Sequence, residues 1–232
     1  MKVNSSIKLF CLLAFPTIAS GQTNADFGAF IPEDYTTYGE AIYGDLNRDS
    51  LADAVVLIKG TDTAGFRENQ FGDIVDKNRR GILIFFNTGN GYTLALQNHD
   101  CFSSENEDGG VYYAPVLSVH ACRGNLYFHY EHGRYGYWKY TFRFQNNDFE
   151  LIGYDATSHF GPLIRSGVSI NFLTKRMMEF EDVNPYTEES GDEIFEETWS
   201  DITIDKLFKL SEIDDVDWLD LSAQTLDKDN TH

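Results

Sequence analysis

A strict alternation of large apolar and polar side chains over residues 138–144 constrains the fold of this chain more than any other feature. In an extended chain one face would carry Trp138, Tyr140, Phe142 and Phe144, and the other Lys139, Thr141 and Arg143. A helical period of 3.6 residues would scatter these rings around the helix axis. The segment is therefore predicted to be an antiparallel strand with one buried face.

Neighbouring segments show the same period and are separated by turn residues. Residues 116–121 and 126–132 are two such runs, joined by Arg123, Gly124 and Asn125. Residues 146–148 are Asn-Asn-Asp and lead into a further apolar-rich run at 149–154. Gly, Asn and Asp tolerate the positive φ that tight hairpins require, so both segments are predicted to be β-hairpins.

Two runs, residues 54–58 and 82–86, are continuously apolar, which is typical of central strands covered on both faces. Helical periodicity is expected only near the C-terminus, where residues 211–221 are predicted to form a short amphipathic helix. The fold class is therefore all-β and mainly antiparallel: a hairpin-rich meander, a propeller-like array or a sandwich. We expect one domain over residues 22–221 and a disordered tail at 222–232.

Residues 1–21 have the features of a secretory signal peptide in the right order. Lys2 and Lys8 supply positive charge, residues 9–15 form a short apolar stretch, and small residues end at Gly21. Gln22 stands where a lipoprotein would need a cysteine, so no lipid anchor is predicted. The alternative is that this segment is a buried first element of the domain. We expect a secreted or periplasmic protein.

The charge balance narrows the class of partner. The chain of 232 residues has 37 Asp+Glu against 18 Lys+Arg, and its formal net charge is -19. Nucleic-acid binding requires clustered Lys and Arg, so a nucleic-acid partner is not expected. No apolar run reaches the roughly 18 residues of a membrane-spanning helix, and no transmembrane segment is predicted. Small cations are the partners that this composition favours.

Cys101 and Cys122 are the two cysteines that would stay after signal cleavage, since Cys11 lies in the signal. Two cysteines in an oxidising compartment predict one disulfide between them. The alternatives are two buried thiols or a reactive thiol beside His99 or His120.

The strongest local motif is a loop that precedes the apolar run at 54–58. Asp45, Asn47 and Asp49 place oxygen-bearing side chains at alternating positions. The carbonyl of Leu51 adds another oxygen, and Asp53 would complete the site. Ca²⁺ takes six to eight hard oxygen ligands and tolerates irregular geometry. The loop is predicted to bind calcium, with a water-filled Asp/Asn-rich turn as the alternative.

This spacing resembles the DxNxDxxxD loop of FG-GAP and VCBS-type calcium-binding repeats of integrin-like propellers and secreted bacterial proteins. The resemblance covers residues 43–96, because the strand at 82–86 and the Gly-containing turn before Tyr92 also follow that pattern. It implies that Asp45, Asn47, Asp49 and Asp53 are side-chain ligands and that Leu51 is a carbonyl ligand. Two features depart from the pattern: Ser50 replaces the usual Gly, and the chain has a single copy. The rest of the chain, especially residues 133–154 and 169–174, resembles secreted bacterial proteins that carry such a loop, and this resemblance implies no particular activity.

A second group of candidate residues lies on the predicted strands around residue 130. His129 and Glu131 share one face in a regular pleat, and Tyr137 and Trp138 follow on the next strand. His129 and Glu131 could form the acid/base pair of a secreted hydrolase, the rings could bind a ligand such as a sugar, or the group could be structural. Common catalytic fingerprints such as GxSxG and HExxH are absent from the sequence.

Two acidic segments have less regular spacing. Glu105, Asn106, Glu107 and Asp108 could hold a second cation, while residues 182–197 are predicted to be a solvated acidic connector. The sequence as a whole predicts a secreted calcium-binding β protein in which calcium is structural and whose role is interaction with a protein or glycan. The competing hypotheses are the hydrolase and a purely structural envelope component.

Overall fold

The computed structural model describes residues 27–107 and 113–221. The predicted signal peptide, the C-terminal tail and Asp108 lie outside these ranges. The described residues are all-β, as predicted, and their helices are single 3-10 turns. In chain order the strands are β1 (Tyr35–Thr37), β2 (Ile42–Gly44), β3 (Asp53–Gly60), β4 (Phe66–Glu68), β5 (Ile74–Asp76), β6 (Arg80–Asn87), β7 (Tyr92–Phe102), β8 (Val116–Cys122), β9 (Asn125–Glu131), β10 (Gly136–Gln145), β11 (Asp148–Phe160), β12 (Leu163–Asn171), β13 (Arg176–Asp182) and β14 (Phe195–Asp201).

The described strands pair in antiparallel fashion and form three sheets. The first sheet has the order β1-β3-β6-β7, and β2 pairs with β3 on the same side as β1 but at the other end. The second sheet is a meander of seven strands in sequence order, from β8 at one edge to β14 at the other. A small third sheet pairs β4 with β5.

The two large sheets share one hydrophobic core. Phe86 of β6 meets Phe144 of β10 with 4.7 Å between ring centroids, and Phe102 of β7 meets Phe128 of β9 at 4.9 Å. Both pairs have the edge-to-face geometry that aromatic rings favour. Of the predicted architectures, the described residues form a sandwich whose second sheet is a long meander.

The alternating pattern of β10 matches its position in the second sheet. Trp138, Tyr140, Phe142 and Phe144 all pack in or against the shared core, as predicted. The predicted hairpin before it is also confirmed as β8 and β9, in which Val119 pairs with Phe128. The face of β9 opposite His129 carries the buried rings of Phe128 and Tyr130, which are 0% and 1% exposed.

The two continuously apolar runs are central strands, β3 and β6, as predicted. Val55 and Ile84 face the shared core, whereas Val56 and Phe85 belong to a second cluster on the other face of the first sheet. Phe27 covers this second cluster, with its ring 4.6 Å from that of Phe85. Both faces of β3 and β6 are therefore buried, which explains why these strands do not alternate.

The predicted helix at 211–221 is wrong. Residues 202–221 form an irregular segment, here called the C-terminal strap, whose only helical part among the described residues is the 3-10 turn Leu210–Glu212. Leu210, Ile213 and Val216 enter the shared core at intervals of three residues, a spacing that imitates a helix. Asn98 of β7 fixes the strap because its side-chain amide donates to the carbonyls of Leu210 and Ile213, both at 2.7 Å.

The predicted Cys101–Cys122 disulfide is also wrong, because neither cysteine forms a disulfide in the structure. Cys101 precedes Phe102, which pairs with Arg80 at one end of the first sheet. Cys122 follows Ala121, which contacts Gly44 at the opposite end of that sheet. The length of β3 separates these ends by roughly 20 Å, whereas a disulfide needs Cα atoms roughly 6 Å apart.

The acidic connector predicted at 182–197 is shorter than expected. Asp182 ends β13 and Phe195 begins β14, so the connection is residues 183–194. β14 was not predicted from the sequence because both of its faces are largely exposed, so that it lacks an apolar stripe.

None of the helices in residues 27–107 and 113–221 could span a membrane, since each of them is a single 3-10 turn.

Candidate functional site

The predicted calcium loop connects β2 to β3 at one end of the sandwich. Leu46 anchors it, because its side chain is 1% exposed and belongs to the shared core. Arg48 and Ser50 both have left-handed backbone, with φ of 65° and 71°. Ser50 therefore adopts the left-handed backbone that glycine favours.

Asp53 lies beneath this loop and is fully buried. Its Oδ2 accepts the backbone N–H groups of Leu46 at 2.7 Å and Asn47 at 3.2 Å. Its Oδ1 accepts the N–H of Asn87, at the end of β6, at 3.0 Å. One carboxylate thus joins the start of the loop to two strands of the first sheet. Burial raises the pKa of Asp53 above its ordinary value, although the three N–H donors oppose that rise.

The other oxygen-bearing side chains of the loop lie together on its outer side. Asp45 Oδ1 and Asn47 Oδ1 both accept the N–H of Asp49, at 3.0 and 2.9 Å. Asp45 Oδ2 accepts the N–H of Ser50, and Asp49 Oδ1 accepts the N–H of Leu51. Asn47 Nδ2 also donates to Asp49 Oδ2 at 2.9 Å. The loop is therefore wound around these side-chain oxygens.

The loop also rests on the second sheet, which the sequence did not predict. A Cβ atom added to Gly44 would stand 2.8 Å from Cβ of Ala121 on β8, so this contact has no room for a side chain. The side chain of Arg48 lies against Gly124 in the turn between β8 and β9. The end of the second sheet therefore supports one flank of the loop.

The predicted ligands do not all face one point. Among residues 27–107 and 113–221, no three His, Cys, Asp or Glu side chains are placed to hold a metal ion together. The reason is the position of Asp53, which bonds to backbone N–H groups under the loop while Asp45 and Asp49 lie on its outer side. The outer donors are two carboxylates, the amide oxygen of Asn47 and the carbonyl of Leu51, which are hard oxygen atoms of the type that Ca²⁺ prefers.

The second group of candidate residues divides between the two faces of the second sheet. His129 and Glu131 lie on its outer face, and the ring of Tyr137 on β10 stands 5.2 Å from that of His129. Trp138 lies on the inner face, where it stacks on Tyr130 at 5.3 Å, so it is a core residue and does not join the other three. Burial lowers the pKa of His129 below its ordinary value.

The acidic segment around Glu105 has a structural role in the described residues. Glu105 Oε1 lies 2.5 Å from Nζ of the buried Lys59, which also pairs with Asp76 at 2.8 Å. This carboxylate is therefore already neutralised by a lysine, and a second cation beside it would compete with that lysine. The partners of Lys59 were missed because they lie far from it in sequence.

The comparisons with known proteins give no family. The chain matches no protein-family model, no curated protein and no solved structure. The FG-GAP and VCBS-type resemblance is accordingly a prediction from the motif at residues 45–53.

Proposed function

We propose that this is a secreted or periplasmic calcium-binding β protein in which calcium stabilises the loop between β2 and β3. In this proposal the ion has a structural role, and the outer face of the second sheet binds a protein or glycan partner. The observation that carries the first part is the convergence of Asp45 Oδ1 and Asn47 Oδ1 on one N–H group, that of Asp49. Two oxygens that share one donor lie side by side, which is the arrangement that an oxygen-binding cation needs.

The residues that would hold the ion are Asp45, Asn47, Asp49 and the carbonyl of Leu51. Asp53 is not in this set, because its carboxylate bonds to backbone N–H groups beneath the loop. A bound Ca²⁺ would supply positive charge between carboxylates that otherwise repel each other. Asp53 itself would continue to hold the loop to Leu46 and Asn87 with or without the ion.

Calcium is expected to raise the melting temperature of the purified protein. Binding to the folded state alone gives about 2.7 kcal/mol at a hundredfold excess of ion over its dissociation constant. Asp49→Ala should abolish most of this gain, because Asp49 is exposed and its carboxylate lies on the outer side of the loop. Thermal melts in calcium and in chelator, together with calorimetric titration of calcium, measure the effect.

Asp73→Ala is the matched control, since it removes an exposed carboxylate elsewhere on the first half of the chain. It should leave the calcium response unchanged. An equal melting temperature in calcium and in chelator, with no heat of binding, would remove the calcium proposal.

The second part of the proposal rests on the outer face of β9 to β11. Tyr137 stands between His129 at 5.2 Å and His159 at 6.2 Å, measured between ring centroids. Glu131 and Lys139 place charges beside these rings, and Lys139 pairs with Asp155 at 3.1 Å. Partly exposed rings flanked by polar groups are suited to stacking on a sugar or on a partner side chain.

Tyr137→Ala should weaken binding to whichever glycan or protein is captured by the wild-type protein on an array. Stacking of one ring contributes about 1 kcal/mol beyond the effect of burying its apolar surface, so a loss of at least about fivefold in affinity is expected. Tyr92→Ala is the control, because it removes a half-buried tyrosine ring of the first sheet instead. Binding that survives Tyr137→Ala unchanged would exclude this face as the binding surface.

A further inference from the structure

The inner face of the second sheet extends beyond the first sheet at the β14 edge. An open groove of about 590 Å³ lies there, here called the β14 groove. Two rows of directly paired residues line it. The first row is Ala156, Val168, Glu179 and Thr198, and the second is Ser158, Ser166, Glu181 and Glu196. Val168 still packs against the shared core, so the groove begins where the core ends.

The charged side chains that line this groove are all acidic. Glu181 and Glu196 are paired directly across two strands, and Glu179 lies two residues from Glu181 on the same face. Like charges in directly opposite positions destabilise a sheet. Among the residues that the structure describes, the groove lining contains no Lys, Arg or His, and no ion pair neutralises these three glutamates. No cation from this part of the chain therefore offsets the repulsion.

The same groove is bounded by an unpaired strand edge. β14 pairs with β13 on one side, and in the described residues no strand covers its other side. On the outer face β14 presents Phe195 and Trp199, which are 41% and 56% exposed. An edge strand with free backbone groups and exposed side chains is the feature to which an extended peptide adds a strand.

We propose that the β14 edge is a docking site for an extended segment of a partner protein in which basic and apolar residues alternate. The basic side chains face the groove beside Glu196 and reach Glu181, which lies one strand spacing further on. The apolar side chains face the opposite way and pack on Phe195 and Trp199. The backbone of the segment bonds to the open edge of β14. This surface is separate from the calcium loop and from the outer-face residues of the proposed function.

Charge complementarity selects this occupant over a second copy of the chain. Pairing of two β14 strands would bring two sets of the three groove glutamates together, in chains that each carry a formal net charge of -19. That contact would repel, as acidic edges do when they prevent edge-to-edge association. A basic segment would instead neutralise the groove.

The test uses a capped synthetic peptide, Lys-Val-Lys-Val-Lys, titrated into the full-length protein in chelator. We expect binding that weakens as ionic strength rises, and slower amide hydrogen exchange in Phe195–Asp201. The double change Glu181→Gln with Glu196→Gln should weaken binding about tenfold, because two ion pairs are lost. Calcium should not alter the affinity for the peptide. A failure of the docking proposal can therefore be distinguished from a failure of the calcium proposal.

Glu197→Gln is the matched control, since Glu197 neighbours Glu196 on β14 but lies on the opposite face. It removes one negative charge, as Glu196→Gln does by itself, and should weaken binding much less than that single change. A peptide of the same composition in the order Lys-Lys-Lys-Val-Val should bind at least about tenfold more weakly, because it cannot present its lysines on one face. Three results would each overturn the proposal: equal binding of the two peptides, equal effects of the Glu196 and Glu197 changes, or self-association through β14 in the absence of peptide.

Discussion

Asp53→Ala is expected to destabilise the folded protein by about 3 kcal/mol, even in the absence of calcium. The carboxylate of Asp53 is fully buried and accepts three backbone N–H groups, those of Leu46, Asn47 and Asn87. An unsatisfied buried donor costs about 1 to 3 kcal/mol, so leaving three N–H donors without their acceptor is severe. Urea unfolding of both proteins in chelator, followed by circular dichroism, measures the difference.

Two further variants separate this structural role from a role in ion binding. Asp49→Ala should leave stability in chelator nearly unchanged, because Asp49 is exposed and bonds within the loop. Asp53→Asn should cost about 1 to 3 kcal/mol, because its oxygen can replace Oδ2 but its NH₂ group would face the N–H of Asn87. If Asp53→Ala and Asp49→Ala destabilise the calcium-free protein equally, Asp53 does not hold the loop to the sheet.

The pH dependence of Asp53 provides an independent check. Burial raises the pKa of this carboxyl above its ordinary value of 3.8, so the folded state binds the proton more tightly than the unfolded state. Its contribution to stability is full below the ordinary pKa and is lost as the pH rises through the raised value. Relative to Asp53→Asn, wild-type stability should therefore decline as the pH rises through that window.

The strands that the sequence predicted are those with a local pattern. In the segments 138–144 and 82–86 the residues themselves show which faces are buried, because a covered face of a strand is apolar in sequence. β14 and the C-terminal strap carry no such pattern. The strap at 202–221 is held by contacts to Asn98 and Cys101, which are distant in sequence, and its apolar residues therefore suggested a helix.

In the candidate site, too, the local contacts were predictable from the sequence and the distant contacts were not. The spacing of Asp45, Asn47 and Asp49 predicted a loop wound around side-chain oxygens, because these bonds join residues only two to five positions apart. The inward position of Asp53 depends on Asn87, 34 residues away, so the spacing alone could not reveal it. The register of β11 to β14, which creates the β14 groove, is likewise a property of tertiary pairing.

Lys59→Met is expected to be the second strongly destabilising change. The side chain of Lys59 is 7% exposed and its ammonium lies 2.8 Å from Asp76 Oδ2 and 2.5 Å from Glu105 Oε1. Removing one partner of a buried ion pair costs about 3 to 5 kcal/mol, and we expect the lower end because both carboxylates are about one third exposed. Lys139→Met, which breaks the more exposed pair with Asp155, is the control and should cost about 1 kcal/mol or less.

The pH profile of Lys59→Met identifies the ion pairs as the cause. Burial by itself raises the pKa of Asp76, but hydrogen bonds from Lys59 and Asn78 outweigh it and hold that pKa below the ordinary 3.8. Burial lowers the pKa of Lys59, but Asp76 and Glu105 reverse this and raise it above the ordinary 10.5. The stabilisation is therefore full between these ordinary values, is lost as the pH falls through the folded pKa of Asp76, and is lost as the pH rises through that of Lys59. The stability difference between wild type and Lys59→Met should shrink at both extremes. A difference that stays constant from pH 7 to below the folded pKa of Asp76 would mean that Lys59 acts through the packing of its alkyl chain and not through its charge.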